Sequence, residues 1–138
     1  TQGKSNVKIV QNKTYELLSS ATAAIVTSGT ATLETALFRV PEVVCYKGSS
    51  ISYQIAKRLI KVRFISLVNL IMDRELVKEL IQSECNAKNI RDELKLILPG
   101  GAKRKKMKGE YTELIDKLGG VGASRETAIR MLKTIETR

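Results

Sequence analysis

A chain of 138 residues, 43% of them apolar, is long enough to bury a core and too apolar to stay disordered. The absence of histidine excludes His-based acid–base catalysis, His-paired nucleophiles and most zinc sites. A formal charge of +10 implies an anionic partner, whether nucleic acid, a phosphorylated ligand or an anionic membrane surface.

Taken in chain order, Val7–Val10 predicts a strand and Thr14–Ser20 a helix. Ala23–Thr27 predicts a second strand, Thr30–Phe38 a helix, Val43–Tyr46 a third strand, Ser50–Ile60 a helix and Phe64–Leu67 a fourth strand. The second and third strands are almost continuously apolar, as in strands covered on both faces. This alternation predicts βαβ units and a parallel sheet. Beyond Leu67 the periodicity turns helical: Arg74–Gln82, Ala87–Leu98, Lys103–Leu118 and Ser124–Thr137, punctuated by Pro99-Gly100-Gly101 and Gly119-Gly120-Val121-Gly122. The longest apolar stretch, Phe64–Met72, is broken by Ser66 and Asn69 and is too short to span a bilayer. The two cysteines, Cys45 and Cys85, form no metal or redox spacing and fit a reduced, cytosolic setting.

Two basic clusters stand out. Lys103-Arg104-Lys105-Lys106-Met107-Lys108 reads as a solvated helix start, or as a contact for anionic lipid or nucleic acid. Lys47, Lys57, Arg58, Lys61 and Arg63 occur between Glu42 and Asp73 with no acidic residue among them. Some of these suit a helix C-terminus, where positive charge meets the dipole.

The richest chemistry lies in Ala24-Ile-Val-Thr-Ser-Gly-Thr-Ala-Thr-Leu-Glu34. A strand ends at Thr27, turns through Ser28-Gly29 and leads into a helix near Thr30. Gly29 lets a ligand approach the backbone, and uncapped amides at such a helix start attract phosphate. The hydroxyls of Ser28, Thr30 and Thr32 offer further donors, and Glu34, one turn on, suits sugar hydroxyls. The spacing is met equally well by an ordinary capped βα turn, with Glu34 only favouring the dipole. Asn69, a polar residue inside an apolar run, either turns the chain or binds a ligand. Arg74 opens a predicted helix against the dipole preference, and a guanidinium pairs well with a diphosphate. No carboxylate pair reads as a general acid–base couple.

Four segments in order, Ser28-Gly-Thr-Ala-Thr-Leu-Glu34, Pro41-x-Val-Val-x-Tyr46, Arg58-Leu-Ile-Lys-x-x-Phe-Ile-Ser-Leu-x-Asn69 and Arg74-Glu-Leu-Val-Lys-Glu-Leu-Ile-Gln82, resemble the C-terminal half of the lipid A disaccharide synthase family. The match is strongest from Ala24 to Cys85. Val68 departs from the proline that the family usually has before the asparagine. Met72-Asp73 replaces a small-residue pair ending in glycine.

The resemblance implies a GT-B glycosyltransferase, with a Rossmann-like parallel sheet followed by a helical tail. Residues 1–98 would be a partial UDP-sugar-binding domain and residues 99–138 a helical extension. The reaction implied is transfer of 2,3-diacylglucosamine from UDP-2,3-diacylglucosamine to 2,3-diacylglucosamine 1-phosphate, β-1,6 and inverting, with no metal or organic cofactor. By matching motif, Ser28, Gly29, Thr30 and Ala31 would meet the diphosphate and Glu34 the ribose. Asn69, Arg74, Glu75 and Gln82 would line the cleft. The setting implied is cytoplasmic, peripheral at the anionic inner membrane of a Gram-negative bacterium, with no nucleic-acid partner.

The chain opens at Thr1 and lacks the family's N-terminal domain and the opening strand of the C-terminal one, which reads as a fragment. The base is then expected outside it, the isolated chain is expected to be inactive, and an unpaired strand edge is expected to favour a homo-oligomer. Two alternatives are another UDP-sugar enzyme of the same architecture, such as a 2-epimerase, and a basic nucleic-acid-binding domain. The second is disfavoured by few aromatic residues and no recognisable nucleic-acid-binding motif.

Overall fold

The computed structural model describes residues 6–48 and 63–119. Three parallel strands, β1 (Ala24–Thr27), β2 (Glu42–Tyr46) and β3 (Lys78–Ile81), form one sheet in the order β1-β2-β3. Their register aligns Thr27 with Cys45 and Cys45 with Leu80. The helices are α1 (Thr14–Ser20), α2 (Thr30–Leu37), α3 (Leu67–Met72), α4 (Ala87–Ile97) and α5 (Arg104–Lys117).

The sheet is covered on both faces because its central strand is apolar on both. Val43 and Val44 point to opposite faces and both are fully buried. They join Ala36, Val68, Val77, Leu80, Ile97, Met107, Tyr111 and Leu114 in one core. Helix α2 stops by a Schellman turn: the Val40 amide donates to the Thr35 carbonyl at 3.1 Å and the Arg39 amide to Ala36 at 2.9 Å. Arg39 takes the left-handed position at φ 57°, and Pro41 then prevents the helix from resuming. The Asn86 side chain caps α4 by accepting from the Asn89 amide at 3.0 Å.

Helix α5 closes the N-terminal edge of the sheet. Arg104 donates to the carbonyls of Thr22 and Ile97, both at 2.8 Å. Arg39 donates to the Thr112 hydroxyl at 3.0 Å, and Arg74 pairs with Glu113. The basic run therefore sits at the end of the sheet opposite to the β1–α2 turn.

Three expectations are corrected. Val7–Val10 forms no strand: Val7 is 78% and Ile9 89% exposed, without a sheet neighbour among the described residues. Phe64–Leu67 is not a strand either. Ser66 caps α3 by accepting from the Asn69 amide at 3.3 Å, a local bond that competes with strand pairing. Arg74–Gln82 is not a helix but a lead-in to β3, followed by a 3-10 turn over Gln82–Glu84. Its apolar positions Leu76, Val77, Leu80 and Ile81 fit a helical stripe and a buried strand alike, and pairing with β2 decides for the strand. The expected helices Ser50–Ile60 and Ser124–Thr137 lie outside the described residues.

Candidate functional site

Strands in parallel sheets present ligands at their C-terminal edge, and here that edge carries the β1–α2 turn. The Ser28 amide donates to the Cys45 carbonyl at 3.3 Å, which extends the ladder by one residue and fixes where the turn begins. Gly29 stands at φ 136°, ψ −161°, a conformation that essentially only glycine adopts. An added Cβ there would meet nothing within 4 Å, so backbone conformation, not crowding, requires the glycine, and the space before it is open. No side chain caps α2: the Thr32 amide donates to the Gly29 carbonyl at 3.2 Å, and the amides of Thr30 and Ala31 are left for a ligand in that space.

Thr32 does not offer the free donor the sequence suggests. It is fully buried, and its hydroxyl donates to the Gly29 carbonyl at 2.8 Å, which braces the turn from inside. Ser28 and Ala31 are half-buried and Thr30 is exposed. Glu34 is half-buried and borders an open groove with Asn12, Lys13, Thr14, Tyr15 and Glu16. Tyr15 of α1 stacks on Phe38, the residue after α2, with ring centroids 5.5 Å apart, and this contact joins the two helices beside that groove. Sequence reasoning missed this wall. Its signal was Asn12, a residue tolerant of the left-handed region, which sits at φ 57° just before α1.

Tyr46 ends β2 and Gln82 directly follows β3, both at the same edge. The Tyr46 ring folds over Gly48, where an added Cβ would meet its hydroxyl at 2.8 Å. Gln82 has φ 52°, and its Nε2 is buried without a partner among the described residues. A buried amide nitrogen in that position is a donor awaiting an acceptor.

Asn69 is fully buried, and its side chain is committed to its own chain. Its Oδ1 accepts from the amides of Leu76 at 2.8 Å and Val77 at 3.0 Å. Its Nδ2 donates to the Val77 carbonyl and to Glu79 Oε1, both at 2.9 Å. Two acceptor positions and two donors are thereby filled, leaving none for a ligand. Glu79, which sequence reasoning passed over, is the hub: it also accepts from the Ser66 hydroxyl at 2.7 Å and from the amides of Ser66 at 2.9 Å and Ile65 at 3.0 Å. Its signal was a carboxylate inside the apolar run Leu76–Ile81.

Arg74 and Glu75 lie at the opposite, N-terminal edge. Arg74 pairs with Glu113 and, at 3.5 Å, with Glu110 of α5, and this pairing keeps its guanidinium above its usual pKa. Glu75 pairs with Lys78 at 3.4 Å. The structure thus gathers Ser28, Gly29, Thr30, Ala31, Glu34 and Gln82 at one edge, buries Asn69 against the lead-in to β3 and sets Arg74 and Glu75 apart.

Cys45 and Cys85 are free thiols. Burial, with the Cys85 thiol beside it, pushes Cys45 up to about 11, so it packs as an apolar side chain. Among the described residues no three of Cys, Asp or Glu gather to hold a metal ion, and no helix is long and apolar enough to cross a membrane.

Residues 2–132 match the family described as lipid-A-disaccharide synthetase. The lipid-A-disaccharide synthase of Syntrophus aciditrophicus (strain SB) is 42% identical over 130 residues, which cover 94% of this chain and 34% of that protein. The synthase of Myxococcus xanthus (strain DK1622) is 35% identical over 127 residues, covering 92% and 33%. That of Psychromonas ingrahamii (strain DSM 17664 / CCUG 51855 / 37) is 48% identical over 84 residues, covering 61% and 22%. The chain spans about a third of the length of the first two of these relatives. With a parallel α/β sheet and a match over nearly its whole length, the chain belongs to the lipid-A-disaccharide synthase family.

Proposed function

We propose that this chain is the UDP-binding part of a lipid A disaccharide synthase. The whole protein would transfer 2,3-diacylglucosamine from UDP-2,3-diacylglucosamine to 2,3-diacylglucosamine 1-phosphate. The observation that carries the reading is the uncapped start of α2 behind Gly29, open to solvent at the C-terminal edge of a parallel sheet. The amides of Thr30 and Ala31, with the Ser28 and Thr30 hydroxyls, take the diphosphate. Glu34 accepts from the ribose hydroxyls, one turn further along α2. The buried Gln82 Nε2 is a donor for the sugar or its phosphate. Asn69 acts as a positioning residue, because it fixes the crossover that leads into β3.

The chemistry follows from that placement. An acceptor hydroxyl attacks the donor anomeric carbon from the side opposite the diphosphate, and the bond from that carbon to the phosphate oxygen breaks. The electron pair leaves with UDP, and the hydroxyl proton passes to a base outside the described residues. Negative charge grows on the leaving diphosphate, and the positive end of the α2 dipole with its free amides is positioned to receive it. No metal is required for that role. Arg74 would reach the diphosphate only by leaving Glu110 and Glu113.

The remaining parts of the reading are a cytoplasmic protein peripheral at an anionic inner membrane, and a homo-oligomer. Lys105, Lys106 and Lys108 are exposed and make no ion pair among the described residues, which suits an anionic lipid surface. Calorimetric titration with UDP tests the donor site. Binding should weaken at least tenfold in Glu34→Ala and in Gly29→Ala, and unchanged affinity in both would refute the assignment.

A further inference from the structure

A second cavity lies at the foot of the sheet, at the far end from the β1–α2 turn. Glu42 opens β2 there and is fully buried, yet neither carboxyl oxygen has a hydrogen-bond partner among the described residues. The Tyr111 hydroxyl, also buried, stands beside this carboxyl without a well-aligned hydrogen bond and offers it one neutral donor at most. Unpartnered buried carboxyls are costly and rare. This one lines a cavity of about 170 Å³ between β2, the lead-in to β3, α4 and α5.

The other acidic groups on the wall are already spent. Glu93 of α4 pairs with Lys103 at 2.9 Å, Glu75 with Lys78 at 3.4 Å, and Glu110 of α5 with Arg74 at 3.5 Å. Lys106 of α5 stands on the wall without an ion pair among the described residues, and Leu76, Ile97 and Met107 give the wall an apolar stretch. Glu42 itself joins no ion pair among the described residues.

We propose that this cavity binds a small primary alkylammonium ion, its ammonium hydrogen-bonded to the Glu42 carboxylate and its methylene stem against Leu76, Ile97 and Met107. An anion would find Lys78 and Lys103 already paired with Glu75 and Glu93, with Lys106 alone left without an ion pair among the described residues. A multidentate metal ion finds no set of three ligating side chains among the described residues. A linear amine of a few carbons matches both the single free carboxyl and the apolar wall.

Binding carries a proton balance. Burial pushes the empty site's Glu42 carboxyl up to about 9, so at neutral pH it holds its proton. When the ammonium enters, the acid gives that proton to solvent and an ion pair forms, one proton released per ligand. The proton and the ligand compete, so affinity must rise with pH until the carboxyl titrates by itself.

The inference stands apart from the donor site, and either reading can fail alone. Calorimetric titration of the chain with n-butylammonium chloride tests it, run in two buffers of different ionisation heat. Potassium chloride and 1-butanol serve as controls. The expected result is saturable one-to-one binding with close to one proton released and nearly tenfold tighter binding at pH 8 than at pH 7. Glu42→Gln, which keeps the shape of the neutral acid, should weaken binding at least tenfold. Absence of saturable heat, equal binding of 1-butanol or potassium, no proton release, or undiminished binding by Glu42→Gln would each overturn the proposal. Should that variant fail to fold, the proton count and pH dependence of the unaltered chain decide by themselves.

Discussion

Asn69 shows how one side chain can set the course of a whole crossover. Four hydrogen bonds tie it to Leu76, Val77 and Glu79, so the segment after α3 must run straight into β3. Asn69→Ala would leave two buried amides and a buried carboxylate short of partners, at a cost of about 3 kcal/mol or more. Chemical denaturation should show that loss, whereas a solely ligand-binding asparagine would lose UDP affinity with stability unchanged. Gly29→Ala forces an L-residue to φ 136° and should cost about 1–3 kcal/mol of stability while weakening UDP. Glu42 adds a pH dependence of definite sign. Between the ordinary carboxylate range and about 9 the unfolded chain has given up a proton that the folded chain still holds. Stability is therefore present at low pH and lost as pH rises through that window. Glu42→Gln should flatten this fall and raise the melting temperature at pH 8 by several degrees, as thermal unfolding across pH would show.

Among the elements, those with a single reading were legible in advance. The helix from Thr30, the strands at Ala24 and Val43, and the helices from Ala87 and Arg104 fall within a residue or two of the sequence expectation. Leu76–Ile81 was not legible, because its apolar spacing serves a helix or a buried strand and only long-range pairing with β2 chooses. Phe64–Leu67 failed for the opposite reason: a local cap at Ser66 outcompeted an apolar run with good strand propensity. The candidate site follows the same division. The residues of the β1–α2 turn were readable from a local pattern, strand–Gly–helix. Arg74 was not, since its partners Glu110 and Glu113 come from α5, far along the chain. Helix α5 is itself tied down by Arg104, whose guanidinium bridges the carbonyls of Thr22 and Ile97. Arg104→Ala should loosen α5 from the sheet, with faster amide exchange at Tyr111 and Leu114 than at Val43.

At the scale of the molecule, β1 and β3 are both edge strands among the described residues, and β1 is the more exposed of the two. No described strand pairs with β1 on the side away from β2, and Ile25 in β1 is 54% exposed. Free edges template pairing with other chains. The chain should therefore self-associate, and Ile25→Lys should shift sedimentation towards the monomer without loss of helix or strand signal. The two ends of the sheet differ: the C-terminal edge carries the open start of α2, the proposed diphosphate site, and the N-terminal edge is packed against α5, which carries the basic run.

An amide NMR titration of the chain with UDP tests the proposed donor site at the C-terminal edge. Inorganic polyphosphate and a short DNA duplex are the controls. UDP should move the resonances of Gly29, Thr30, Ala31 and Glu34 first and furthest, with weaker shifts for polyphosphate. A folded spectrum that ignores UDP while responding to DNA along Lys103–Lys108 would refute a donor site at this edge.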